Sequence, residues 1–233
     1  MTDPEIRDRL VLPLDVGDLD AALAMAERLA PWFGIVKVGH ELYAEAGPGA
    51  FDRLQELGFR VFADLKLYDI PNTVERAARA IGRRGVQFLN FPAVGGEAML
   101  RAGIEGVREG AREAGHAAPV ALAVTVLTSD ARADAFDERL ALAVDAGCDG
   151  VVCSAHEIAA VRARDARLTT MVPGIRLAGG DHHDQARVAT PEDAVRAGAD
   201  WVIVGRPVTA ASSPEAAASA VAQSMAAGLA ASA

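Results

Sequence analysis

Short runs rich in Val, Ile and Leu recur along the chain, each followed by a longer stretch of helical period with charges on one side. Eight runs predict strands near Leu10 to Val16, Gly34 to Gly39, Phe59 to Leu65, Val86 to Phe91, Val120 to Leu127, Gly150 to Ser154, Thr169 to Val172 and Trp201 to Gly205. Helical stretches fall at Leu19 to Leu29, Gly49 to Leu57, Thr73 to Arg83, Glu97 to Ala114, Asp137 to Ala146, His156 to Ala163 and Pro191 to Ala197. An eighth helix starts after Pro214, a residue suited to a first helical turn, and runs through the Ala-rich C-terminus. Strands that are continuously apolar, not alternating, imply a parallel sheet covered on both faces. Eight such units in 233 residues predict a single-domain α/β fold over residues 1–233, a closed (β/α)8 TIM barrel, with a doubly wound open sheet as the alternative. Gly58, Gly85, Gly147 and Gly198 each close a helix just before a strand. One position conflicts with this scheme: Pro13 lies inside the first predicted strand, and a closed barrel has no free edge to absorb its missing donor.

Composition narrows the function classes. The chain is 51% hydrophobic but only 5% aromatic, so its core is built mostly from Ala, Val, Leu and Ile, and general disorder is excluded. With 23 basic against 32 acidic residues the net charge is −9, and without a basic cluster no nucleic-acid partner is expected. No apolar run reaches the roughly 18 residues of a membrane span, and Met1 to Arg9 is too charged for a secretory signal. The expectation is a cytoplasmic protein without a membrane partner. Cys148 and Cys153 are read as reduced core thiols, because two cysteines make neither a disulfide framework nor a zinc pattern here.

In such barrels chemistry gathers at the C-terminal ends of the strands. There strand one ends at Asp15, strand two carries Lys37, and strand three runs into Asp64-Leu65-Lys66-Leu67-Tyr68-Asp69. Thr128 and Ser129 follow strand five, Pro173-Gly174-Ile175-Arg176 strand seven, and Gly205-Arg206 strand eight. Strand alternation predicts that Asp64 and Lys66 point inward and Leu65 toward the helices. Charges of both signs in a nearly dry mouth must pair, and Lys37, Asp64, Lys66 and a further carboxylate would satisfy one another. The array is either a structural ion-pair network or a device that holds an ammonium beside a reacting carbon. The loops after strands seven and eight, with Gly179-Gly180 and Gly205-Arg206, suit a phosphate, and the length of the first suggests a lid. Asp181-His182-His183-Asp184 is read as a solvated loop, not a metal site. His40, His116 and His156 have no partner that spacing identifies, and no serine-nucleophile, zincin or Walker motif occurs.

The stretch Asp64-Leu65-Lys66-Leu67-Tyr68-Asp69-Ile70-Pro71-Asn72-Thr73 closely resembles the signature of the orotidine 5′-phosphate decarboxylase family. Leu14-Asp15-Val16, Lys37-Val38-Gly39, Val124 to Ser129, Asp149 to Ser154, Pro173 to Arg176, Asp184 to Arg187 and Val204 to Pro207 follow in the family's order, most like its bacterial branch. The resemblance implies decarboxylation of orotidine 5′-phosphate to UMP and CO₂ with no cofactor and no metal. It implies that Lys66 is the proton donor, that Asp64 lies beside the departing carboxylate, and that Lys37 binds ribose and holds the network. Asp15 would accept from ribose hydroxyls. Gln185, Arg206, the Gly205 backbone and Arg176 would hold the phosphate, with Pro173 in the same substrate-binding set and Thr128 and Ser129 against the base. Asp69, Ile70 and Thr73 would act in a partner's site, so a homodimer with shared active sites is expected. Pro13 and Tyr68 depart from the family's usual Ala or Val and His. Rival readings are an Mg-dependent sugar-phosphate decarboxylase or aldolase on the same barrel, a catalytically inactive nucleotide-binding protein, and a phosphopentose isomerase.

Overall fold

The apolar runs become the staves of a barrel. In a computed structural model, which describes residues 2–127, 135–177 and 188–232, the strands are β1 (Leu10–Pro13), β2 (Ile35–Val38), β3 (Arg60–Ala63), β4 (Phe88–Pro92), β5 (Val120–Val124), β6 (Gly150–Val152), β7 (Thr169–Val172) and β8 (Trp201–Ile203). All neighbours pair in parallel and β8 returns to β1, closing the sheet. The helices are α1 (Pro4–Arg7), α2 (Leu19–Leu29), α3 (His40–Ala46), α4 (Gly49–Glu56), α5 (Pro71–Gly82), α6 (Gly96–Ala114), α7 (Phe136–Ala146), α8 (Ile158–Arg164), α9 (Pro191–Arg196), α10 (Arg206–Thr209) and α11 (Pro214–Ser232). The closed barrel replaces the open-sheet alternative. The short α1, α3 and α10 have no counterpart among the expected helices; each spans at most two turns, too short for a periodic signal.

Local chemistry explains the boundaries. The Asp18 carboxylate accepts from the Ala21 amide to start α2, Thr190 caps α9, and Pro71, Pro191 and Pro214 stand in first turns where an amide has no partner to lose. Gly58, Gly85, Gly147 and Gly198 all take positive φ, as expected of residues that end one element and aim the chain into the next strand. Most strands stop one to three residues short of the apolar runs that announced them. Leu14, one of the surplus residues, lies beyond the end of β1 yet stays buried against the helical layer.

Two apolar layers result from strand parity. One side packs between sheet and helices, and the other fills the barrel with Val11, Ile35, Phe62, Phe88, Leu122, Met171 and Ile203. Phe88 meets Phe62 and Trp201 edge to face, with centroids 6.1 and 4.8 Å apart. Burial of each such side chain contributes about 2 kcal/mol, so this plug is a firm floor beneath the mouth. The buried thiols Cys148 and Cys153 are both free, and burial pushes Cys148 up to about 12, where it stays protonated.

Pro13 is accommodated by its place in the strand. The Leu14 amide donates to the Lys37 carbonyl at 2.9 Å, so by alternation the Pro13 nitrogen faces β8, whose pairing with β1 ends at Val11 and Ile203. Pro13 is the last residue of β1, at the rim, and still pairs in register with Lys37 on the other side.

Candidate active site

One step further along each strand from the apolar plug, parity brings Pro13, Lys37, Asp64, Asn90, Val124, Pro173 and Gly205 to the barrel axis. All of these except Asn90 line a cavity of about 690 Å³, floored by Phe62 and Ile203 and completed by Asp15, Lys66, Arg176 and Arg206. Eight of the expected site residues therefore converge: Asp15, Lys37, Asp64, Lys66, Pro173, Arg176, Gly205 and Arg206.

Asp64 is the hub. Its Oδ2 lies 3.2 Å from Lys37 Nζ, and its Oδ1 lies 2.5 Å from Lys66 Nζ and 2.7 Å from Asn90 Nδ2. Lys37 Nζ also donates to Asp15 Oδ1 at 2.9 Å. The further carboxylate expected in the array is thus supplied within the chain by Asp15. Gly39, the next inward residue after Lys37, leaves room for this pair: a Cβ there would sit 2.9 Å from Asp15 Oδ1 and 3.1 Å from Lys37 Nζ. Burial pushes the Asp64 carboxyl up, but the charges of Lys37 and Lys66 and hydrogen bonds from Lys66 and Asn90 outweigh it and hold Asp64 below 3.8. Burial likewise pushes Lys37 down, and Asp64 and Asp15 more than offset it, leaving the ammonium above 10.5.

Lys66 reaches Asp64 by a route that strand alternation did not predict. β3 ends at Ala63, and Lys66 has φ +48°, the one left-handed residue other than glycine among those described. The inward aim of Lys66 comes from this turn, while Leu65 packs outward on the helical layer as expected. A left-handed L-residue costs about 1–2 kcal/mol, so the surroundings must hold it. They do: the Lys66 amide donates to Asn90 Oδ1 at 2.9 Å, and His40 Nε2 lies 3.1 Å from the Leu65 carbonyl oxygen.

Asn90, only 1% exposed, was absent from the expected site. Its signal was present, since of the two polar residues inside the apolar run Val86 to Phe91, Gln87 and Asn90, it is the one that shares parity with Phe88. His40, exposed at the start of α3, could not have been found by spacing, because it meets Leu65 only through the fold.

Arg176 and Arg206 follow β7 and β8, on the far side of the barrel from β3. Arg176 is buried and its guanidinium donates to the Ile175 carbonyl at 2.8 Å, while Arg206 opens α10 directly after Gly205. Asp69, Ile70 and Thr73 are not brought into the Asp64 array. Asp69 and Ile70 lie on the exposed segment leading into α5 and Thr73 is exposed in its first turn; Asp69 accepts from the Ile70 amide at 2.6 Å and Ile70 is 66% exposed. Thr128, Ser129 and Gln185 lie outside the described residues, as do Gly179 to Asp184. Among the described residues no group of three or more His, Cys, Asp or Glu side chains is placed to hold a metal ion, and no helix is long and apolar enough to cross a membrane.

A model of the orotidine 5′-phosphate decarboxylase / HUMPS family matches residues 8–221. The chain is 47% identical over 230 residues to an orotidine 5′-phosphate decarboxylase of Moorella thermoacetica, covering 93% of this chain and 91% of that protein. It is 48% identical over 228 residues to one from Anaeromyxobacter sp. (strain K), covering 92% and 97%. The crystal structure of orotidine 5′-phosphate decarboxylase from Lactobacillus acidophilus superposes with a TM-score of 0.78 at 33% identity, covering 94% of this chain and 99% of that one. Since the matched region contains all eight strands and every described residue of the charged array, the chain belongs to the orotidine 5′-phosphate decarboxylase / HUMPS family.

Proposed function

We propose that the protein decarboxylates orotidine 5′-phosphate to UMP and CO₂, the last step of de novo pyrimidine nucleotide synthesis. The observation that carries this reading is the Lys37–Asp64–Lys66 array on a dry floor, with two arginines across the same cavity. Relatives bearing that activity's name at 47–48% identity support it.

The chemistry follows from the charges. The bond between C6 and the carboxyl carbon breaks, CO₂ leaves, and the electron pair stays on C6. The Lys66 ammonium stabilises that charge as it develops and then transfers its Nζ proton to C6, giving UMP. Asp64 lies beside the departing carboxylate and holds Lys66 in place. Lys37 and Asp15 take the ribose hydroxyls, and Arg176, Arg206, the Gly205 backbone and Gln185 take the phosphate, with Pro173, Thr128 and Ser129 toward the base. Binding energy from the remote phosphate can then serve the reacting carbon. The family name also covers a sugar-phosphate branch, but here Lys37 pairs with both Asp15 and Asp64, the carboxylates an Mg²⁺ ion would need. The exposed Asp69, Ile70 and Thr73, beside Tyr68 at 63% exposure, support a homodimer in which this segment completes the partner's site. Two buried free thiols suit a reducing cytoplasm.

The test is loss of the orotate chromophore when purified protein meets orotidine 5′-phosphate in excess EDTA, with the product checked as UMP. Turnover is expected, and Lys66→Ala should reduce it by at least about 10³-fold while the protein stays folded. No turnover by folded wild-type protein, or wild-type turnover by Lys66→Ala, would overturn the reading.

A further inference from the structure

We propose that His40 and Asn90 act together as a clamp on the peptide bond between Leu65 and Lys66, positioning the Lys66 ammonium for proton transfer. The two contacts described above fall on the two ends of one planar unit. His40 Nε2 lies 3.1 Å from the Leu65 carbonyl oxygen, and Asn90 Oδ1 accepts from the Lys66 amide at 2.9 Å. A carbonyl oxygen only accepts, so Nε2 is the protonated ring nitrogen.

A peptide unit is rigid, so fixing its oxygen and its N–H fixes its plane. That plane sets the torsions on either side, including the left-handed φ of Lys66. The same Asn90 donates through Nδ2 to Asp64 Oδ1 at 2.7 Å, the oxygen that also holds Lys66 Nζ. Asn90 thereby ties backbone and side chain of Lys66 to one reference point, on the strand next to β3. His40 supplies the other fixed point from α3, which begins directly after Gly39. Neither residue lines the cavity, so both are positioning residues. The inference rests on Lys66 being the proton donor, and the test separates the two claims.

His40 is exposed, so His40→Ala and His40→Gln should fold, the glutamine keeping a donor; Asn90→Ala, at a buried site, is the stronger perturbation. His40→Ala should lower kcat by roughly five- to tenfold and Asn90→Ala by about 10²-fold, the range for groups that orient a functional side chain. UMP affinity should change less than twofold in the His40 variants, and His40→Gln should recover most of kcat. Independently of turnover, exchange of the Lys66 amide proton should quicken by roughly fivefold or more in Asn90→Ala and measurably in His40→Ala. Unchanged kcat in His40→Ala with an active wild type would overturn the clamp while leaving the decarboxylase reading intact. If wild-type protein lacked turnover, the decarboxylase reading would fail, and unchanged Lys66 exchange in both variants would then overturn the clamp.

Discussion

Asp64 is the residue on which two ammonium groups and an amide converge, at a half-buried carboxylate. Its native pKa lies below 3.8, so its contribution to stability is fully present above that value and is lost as pH falls through the lowered native one. Lys37 behaves in the opposite sense. Its contribution is complete below 10.5 and is lost as pH rises through the raised native value. Between those limits the array adds a constant increment. Asp64→Asn removes the hub and leaves Lys66 and part of Lys37 uncompensated, so it should destabilise the protein by about 3 kcal/mol near neutral pH. Thermal unfolding of both proteins across the acid range should show that gap narrowing below 3.8, as the wild-type carboxylate is protonated. A gap of constant size at about pH 7 and about pH 3 would mean that the charge of Asp64 is not what stabilises.

At the scale of elements, α5 and α6 come together backbone to backbone. A Cβ added at Gly106 would press on the Glu75 carbonyl and one at Gly110 on the Arg79 carbonyl, both closer than the 3.0 Å that real Cβ atoms respect. Arg79 and Arg83 pair with Glu113 along the edge of this seam. Ala is favoured over Gly inside a helix by about 1 kcal/mol, yet the seam reverses that preference. Gly106→Ala and Gly110→Ala should each cost about 1–3 kcal/mol, a fall in Tm of roughly 2–10 °C. Gly49→Ala, at the open start of α4 where nothing lies within 4 Å, should be neutral or slightly stabilising. Melting curves of the three variants decide it, and equal stability of all three would refute the close approach. The seam bears on the proposed shared site, because α5 carries Thr73 and follows directly on Asp69 and Ile70.

For the whole molecule, the proposed shared site has a direct test in mixed dimers. In a shared-site dimer, Lys66→Ala paired with Asp69→Ala regenerates one intact site per hybrid, since one chain supplies Lys66 and the other Asp69. Equal mixing after subunit exchange should restore roughly a quarter of wild-type activity from two inactive parents. Absence of recovery, with exchange proved by differently labelled chains, would place Asp69 in its own chain's site or outside any. Ile70→Asp should separately weaken association by putting a charge into the exposed apolar segment with Tyr68, read from a shift toward monomer on dilution.

The barrel was legible in the sequence, because eight apolar runs at strand length leave few ways to bury both faces of a parallel sheet. So was most of the charged mouth. Lys37, Asp64 and Lys66 were legible from strand parity and a dense local motif, and Asp15, Arg176 and Arg206 from their places after strand ends. Tertiary structure decided what depends on distance across the fold. Parity was right about Asp64, which follows β3 without a break, but Lys66 points inward through a left-handed turn held by residues 24 and 26 positions away. Asn90 and His40 gain a role only when β4 and α3 are brought beside the end of β3, and no local spacing encodes that meeting. Pro13, a defect when read along one strand, becomes tolerable once closure puts it at the last position of β1, where the rim ends the ladder. The physical reason is common to all of them: local pattern fixes which face a residue takes, while partner choice is set by which strands and loops the closed barrel makes neighbours.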